Sequence, residues 1–192
     1  MMMRAALVAG LMVLVSAAAM ADPGALTLHD EHGARSIDAT GSAAVGDLRV
    51  PAFLRLGCNR TGRILGWLDF TIAEAEKVTN LFELEPFEGP DAPAQSRPLV
   101  SIELLGDPSA RPVIAHASGW YSTEHAGGFG FGVGGLNSES RKLSALFKRL
   151  AHQGSALRLT IRSAGSSPQH IISEFSIVGS RDVLLKLAEV CR

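Results

Sequence analysis

Residues 127–135 read Gly-Gly-Phe-Gly-Phe-Gly-Val-Gly-Gly, with glycine at 128, 130, 132 and 134 alternating with Phe129, Phe131 and Val133. A period of two is that of a β-strand; a helix would scatter these side chains around its circumference. As a strand, the segment carries its apolar side chains on one face and bare backbone on the other. Either a helix or second sheet approaches the glycine side closely, or that side is open to a ligand. Gly130 to Gly135 also matches G-x-G-x-x-G, and a helical pattern follows. Alternating glycines generate that match by themselves, however, and the next strand ends in Arg162 rather than in the acid that would hold a ribose. No cofactor is expected.

The same two-residue period recurs along the chain. It predicts strands at 48–56, 64–70, 99–105, 112–121, 156–161 and 170–178, the last two joined as a hairpin by a Ser/Gly/Pro turn. Pro51 assigns the first to an edge or a bent start. Helical spacing replaces alternation after Asn137 and Ser138, where Leu143, Leu146, Phe147 and Leu150 form one stripe, and again after Ser180. Thr71-Ile72-Ala73-Glu74 has the form of a capping box, but residues 72–82 fit a short helix or a strand. Residues 86–98 hold four prolines and read as a surface loop. The resulting class is mainly β (α+β): an antiparallel, β-sandwich-like domain with two or three short helices, one of them C-terminal.

The N-terminus departs from all of this. Arg4, an apolar run over residues 5–15 and the small-x-small end Ala19-Met20-Ala21 form the three regions of a cleavable secretory signal over residues 1–21. That run is too short for a permanent membrane span. Residues 22–47, with a short strand at 25–29, read as a flexible lead-in, and residues 48–192 as a single globular domain. Cleavage removes one of 18 basic residues and none of 19 acids, so the exported form is slightly acidic. An acidic chain suits neither nucleic acid nor an anionic membrane surface. Export to the periplasm or beyond also exposes Cys58 and Cys191 to oxidation. They are expected to pair with each other; two free thiols or an intermolecular bridge are the alternatives.

Residues with chemistry are scattered. His29-Asp30-Glu31-His32 is the densest group of potential metal ligands, and His116 and His125 form a second candidate pair. Four adjacent residues rarely close a coordination shell, so no metal site is assigned, and His29, Asp30 and His32 read as solvated. Asp69, Glu74, Glu76, Glu83 and Glu85 offer carboxylates, yet no catalytic pair can be read from spacing. No G-x-S-x-G elbow is present. Trp67, Trp120 and Tyr121 are expected in the core or half-buried, with a role at a partner surface as the alternative.

A strand ending in Cys58, with Asn59 and Thr61 after it, is matched much later by Phe175-Ser176-Ile177-Val178-Gly179-Ser180 and a helix running to Cys191. This layout resembles bacterial periplasmic accessory domains associated with type VI secretion. Its terminal part is also similar to invasion-associated envelope proteins. The resemblance implies a disulfide-tied, β-rich envelope domain that works through protein contacts, and it supplies no catalytic residues. The expected function is a non-enzymatic interaction module with an envelope protein as partner. The alternatives are an inhibitor of a lysozyme or protease, with residues 86–98 or 163–169 as the inserting loop, and a periplasmic metal-binding protein or enzyme.

Overall fold

Large apolar side chains and charged ones alternate along the strands so consistently that a single sheet buries one face throughout and leaves the other outside. The computed structural model describes residues 26–31, 34–59, 66–134, 136–178 and 180–191; the expected secretory signal at 1–21, His32 and residues 60–65 lie outside them. Ten antiparallel strands follow in chain order: β1 (Thr27–Glu31), β2 (Ala34–Val45), β3 (Leu48–Asn59), β4 (Gly66–Ile72), β5 (Val100–Leu105), β6 (Val113–Ala115), β7 (Ala117–Tyr121), β8 (Phe129–Val133), β9 (Ala156–Arg162) and β10 (His170–Ser176). Three helices, α1 (Ala75–Val78), α2 (Asn137–Gln153) and α3 (Arg181–Val190), accompany them.

The strands run in the order β6-β5-β9-β10-β2-β3-β4-β8-β7, with β1 paired to the first half of β2. β6 and β7 stand at opposite ends of that order, yet His116 alone separates them in the chain. The sheet must therefore curl until its ends meet, giving a nearly closed barrel. Residues 112–121 are accordingly not one strand with one set of neighbours. The chain bends at His116 and hands its pairing from β5 to β8. This corrects the sandwich expected from the strand pattern: one curled sheet, not two stacked ones, encloses the core.

The interior holds Phe70, Phe129, Phe131 and Phe175, all fully buried. Phe131 packs 5.9 Å from Phe70 and edge-on to Phe87 at 5.3 Å, ring centre to ring centre. β2 and β3 pair without interruption from Ala34 opposite Asn59 to Val45 opposite Leu48. Gly46 supplies the positive φ of 57° that the tight turn between them requires. Strands therefore reach well into residues 22–47, which correct the flexible lead-in: the sheet begins at β1, not at residue 48. The weak hydrophobicity of β2 explains the misreading, since its inward positions include Ala39, Gly41 and Ala43.

Pro51 lies inside a central strand rather than at an edge. Within a strand the N–H and C=O of one residue point the same way, and the Pro51 carbonyl accepts from Ala73 N–H, just past the end of β4. The missing Pro51 donor thus falls at the end of the β3–β4 ladder, one position beyond its last pair, Ala52 with Ile72.

α2 and α3 pack on each other across the end of the barrel where β4 begins, and Gly66 N–H donates to Ser140 Oγ there at 2.8 Å. The Cys58–Cys191 disulfide ties the end of α3 to β3 with a Cα–Cα distance of 5.2 Å. At the other end, residues 72–82 resolve into the single turn of α1. Thr71 belongs to β4, and Glu74 sits before the helix in a left-handed conformation (φ 53°) with no side-chain cap, so the capping box does not operate. The proline-rich stretch is not a free surface loop. Its two short 3₁₀ turns, Glu85–Phe87 and Pro93–Ser96, contact β7, and Phe87 and Ala94 are buried.

Candidate functional site

The outside of β2, β3, β4, β8 and β7 carries an unusual floor. The register aligns Asp38, Arg55, Asp69, Gly132 and Ser118 in one row across the five strands. The next row is Thr40, Phe53, Thr71, Gly130 and Trp120. The glycines are occupied by indoles. A Cβ at Gly130 or at Gly132 would come within 3.0 Å of the Trp120 ring, which spans both positions. A Cβ at Gly57 would run into the ring of Trp67. The close approach expected on the glycine face thus comes from a neighbouring side chain, not from a helix or a second sheet.

The expectation that these aromatics are core or half-buried holds for Trp67 and is corrected for Trp120 and Tyr121. Trp120 is 42% exposed and Trp67 half-buried on the same outer surface, whereas Tyr121, also exposed, pairs with Phe129 on the other face of the sheet and packs edge-on to its ring at 5.2 Å. Two grooves of about 330 and 390 Å³ adjoin on the outer surface and share Asp69 and Trp120, the second also lined by Trp67. The β7–β8 loop forms one wall, and within it the His125 ring stacks on Phe53 at 3.8 Å.

The electrostatics of the groove are uneven. Arg55 donates to both carboxylate oxygens of Asp38, at 2.7 and 2.9 Å, and that pairing raises its pKa further above the ordinary guanidinium value. His29 Nε2 lies 3.1 Å from Asp38 Oδ2 without alignment for a hydrogen bond. Glu124 stands 3.8 Å from Arg55. Asp69 makes no hydrogen bond among the described residues. Burial pushes its carboxyl up to about 6, Glu124 and Asp38 add to the rise, and Arg55 opposes it. A carboxylate with unused acceptor capacity thus sits between two indoles in an open groove.

The remaining candidates disperse. Asp30 is tied to Arg35 at 2.7 Å, and no group of three metal-ligating side chains occurs among the described residues. His116 and His125 are not brought together. His116 sits at the bend between β6 and β7, where Glu139 Oε1 accepts both its N–H at 3.0 Å and its ring Nδ1 at 2.6 Å. Glu139 is buried, and its other oxygen has no partner among the described residues. A pocket of about 250 Å³ opens beside this pair, with Ser118 and Gln95 in its wall. The pair fastens the bend between β6 and β7. Glu74 pairs with Lys77 at 3.0 Å.

Asp38, Arg55 and Glu139 escape a reading from spacing. The first two are ordinary outward positions of alternating strands until the register sets them beside Asp69. Glu139 looks like a first-turn acid on an exposed helix face. No family model matches the chain, and no curated protein or solved structure proves similar to it.

Proposed function

We propose that this chain is an exported, non-enzymatic binding module of a bacterial cell envelope that engages a protein partner through the outer face of β2, β3, β4, β8 and β7. The observation that carries the reading is the groove around Asp69, with Trp67 and Trp120 laid over glycine backbone. Aromatic side chains held rigid, half in solvent and next to an unpartnered polar group are the usual anchors of an interface. The secretory signal pattern and the disulfide support a periplasmic or secreted location, and no helix among the described residues is long and apolar enough to cross a membrane. The layout resembling type VI secretion accessory domains agrees with a role through contacts. A hydrolase inhibitor gains less support: residues 86–98 are anchored to the barrel through buried Phe87, Ala92 and Ala94, and Ser167 Oγ in the 163–169 turn donates to Leu81 O.

The test is a crosslinked pull-down of the oxidised protein from the envelope of its own source, alongside Trp120→Ala. One partner recovered near one-to-one by the native chain and lost with the variant is the expected result. Equal recovery by both would place the interface elsewhere.

A further inference from the structure

The binding reading leaves open what chemistry the groove accepts, and the inference here rests on that reading. We propose that the groove between Trp67 and Trp120 receives a cationic side chain, arginine or lysine, of the protein partner, with Asp69 as its counter-charge.

Each indole lies flat on glycine backbone, so one ring face is covered by the sheet and the other is left for a visitor. Ring faces carry negative quadrupole charge and attract a guanidinium or ammonium group, more strongly once water is displaced. The charge balance of the groove favours the same visitor. Among the described residues Asp69 is the charged side chain lining the groove between the indoles, and in the adjoining groove that it shares, Asp38 on β2 and Glu124 in the β7–β8 loop join it against one guanidinium, that of Arg55 on β3. Arg55 is committed to Asp38 by two hydrogen bonds, which leaves Asp69 unneutralised in a partly buried place. A planar guanidinium can stack on one indole while donating to both oxygens of Asp69. A neutral sugar ring would stack equally well but would leave that carboxylate without its missing charge. Two further titratable groups face the groove, His125 in the same loop and His29 on β1.

The chain has two tryptophans, and both border this site, so their indole N–H resonances report on it alone. The oxidised full chain is titrated with Nα-acetyl-arginine amide and with Nα-acetyl-citrulline amide, a neutral probe of the same shape. N-acetylglucosamine tetramer serves as the saccharide probe. The expected result is a saturable shift of both indole signals with the arginine probe and at least tenfold weaker binding of citrulline. Asp69→Asn is expected to lower arginine binding to the citrulline level. Binding of arginine is expected to strengthen as pH rises through about 6. The difference between native chain and variant isolates Asp69 from the other groups that face the groove.

Equal binding of arginine and citrulline, or a response to the saccharide alone, overturns the cationic occupant while keeping the face as a binding surface. Silence with all three probes, together with loss of the partner in Trp120→Ala, has the same consequence. Silence combined with full partner recovery by Trp120→Ala removes both readings.

Discussion

Asp69→Asn is expected to stabilise the fold while weakening what the groove binds. The ordinary aspartate value is 3.8 and the folded value about 6. The folded chain therefore holds this proton more tightly than the unfolded chain does. Stability falls as pH rises from about 4 through 6, because the native state must then bury a charge that the unfolded state keeps in water. A shift of about two units at about 1.4 kcal/mol each is worth about 3 kcal/mol. The groove is open to solvent on one side, so the realised gain is set at about 1–3 kcal/mol. Asparagine has nearly the shape of protonated aspartate and carries no charge at any pH. Urea unfolding of both chains between pH 3.5 and 7.5 should give coincident stabilities at the acid end and a variant about 1–3 kcal/mol more stable at pH 7.5. A variant less stable at pH 7.5, or a constant difference across the range, would refute the reasoning. The first would mean that Asp69 makes a stabilising contact; the second, that its proton is held no more tightly after folding.

Three other perturbations test the frame around the groove. Reducing the Cys58–Cys191 bond, which spans 133 residues, should cost about 5 kcal/mol in the chain-entropy account, read as a fall in urea midpoint; an unchanged midpoint would show that the bond ties nothing the fold does not already hold. Gly57→Ala should displace the Trp67 indole, cost about 1–3 kcal/mol and shift the tryptophan emission to the red, and an unmoved spectrum would deny the contact. His116→Ala should cost about 1–3 kcal/mol by leaving the buried Glu139 carboxylate short of a donor, whereas a neutral result in urea would show that the bend needs no such fastening.

The β-rich class, α2, α3 and the β9–β10 hairpin were legible because each rests on local periodicity. The apolar stripe of α2 is buried as its spacing predicts, with Leu143, Leu146, Phe147 and Leu150 all covered. β8 was legible for the same reason, and its glycines correctly signalled a close approach. Closure of the barrel was not. It depends on β7 joining β8 while β6 joins β5, and nothing near residues 113–121 distinguishes a straight strand from one that changes partners at His116. β2 was missed because small residues at its inward positions hide the alternation that burial would otherwise print.

The candidate site shows the same division more sharply. Recognising the turn at Gly46 and Asp47 would have placed Asp38 opposite Arg55, since every pair between β2 and β3 follows from that one hairpin. Asp69 enters the row only through the register of β3 with β4, and Gly132 only through the pairing of β4 with β8, which crosses more than 55 residues of chain; Trp120 then follows through the short β7–β8 hairpin. Trp67 and Trp120 therefore read as two isolated aromatics, core or half-buried, with a partner surface as the alternative. The barrel leaves them no place inside: its interior is already filled by Phe70, on the opposite face of β4 from Trp67, and by Phe129 and Phe131 of β8, which pair with Tyr121 and Gly119 on either side of Trp120. Phe70, Phe129 and Phe131 face inward, so Trp67 and Trp120 must face out, and glycines at 57, 130 and 132 give their rings somewhere flat to lie. Two large aromatics kept outside at the expense of three strand glycines cost stability, as does the uncompensated charge of Asp69 between them. Features that weaken the fold in one place and converge on one groove are better explained by what the groove holds than by how the barrel stands.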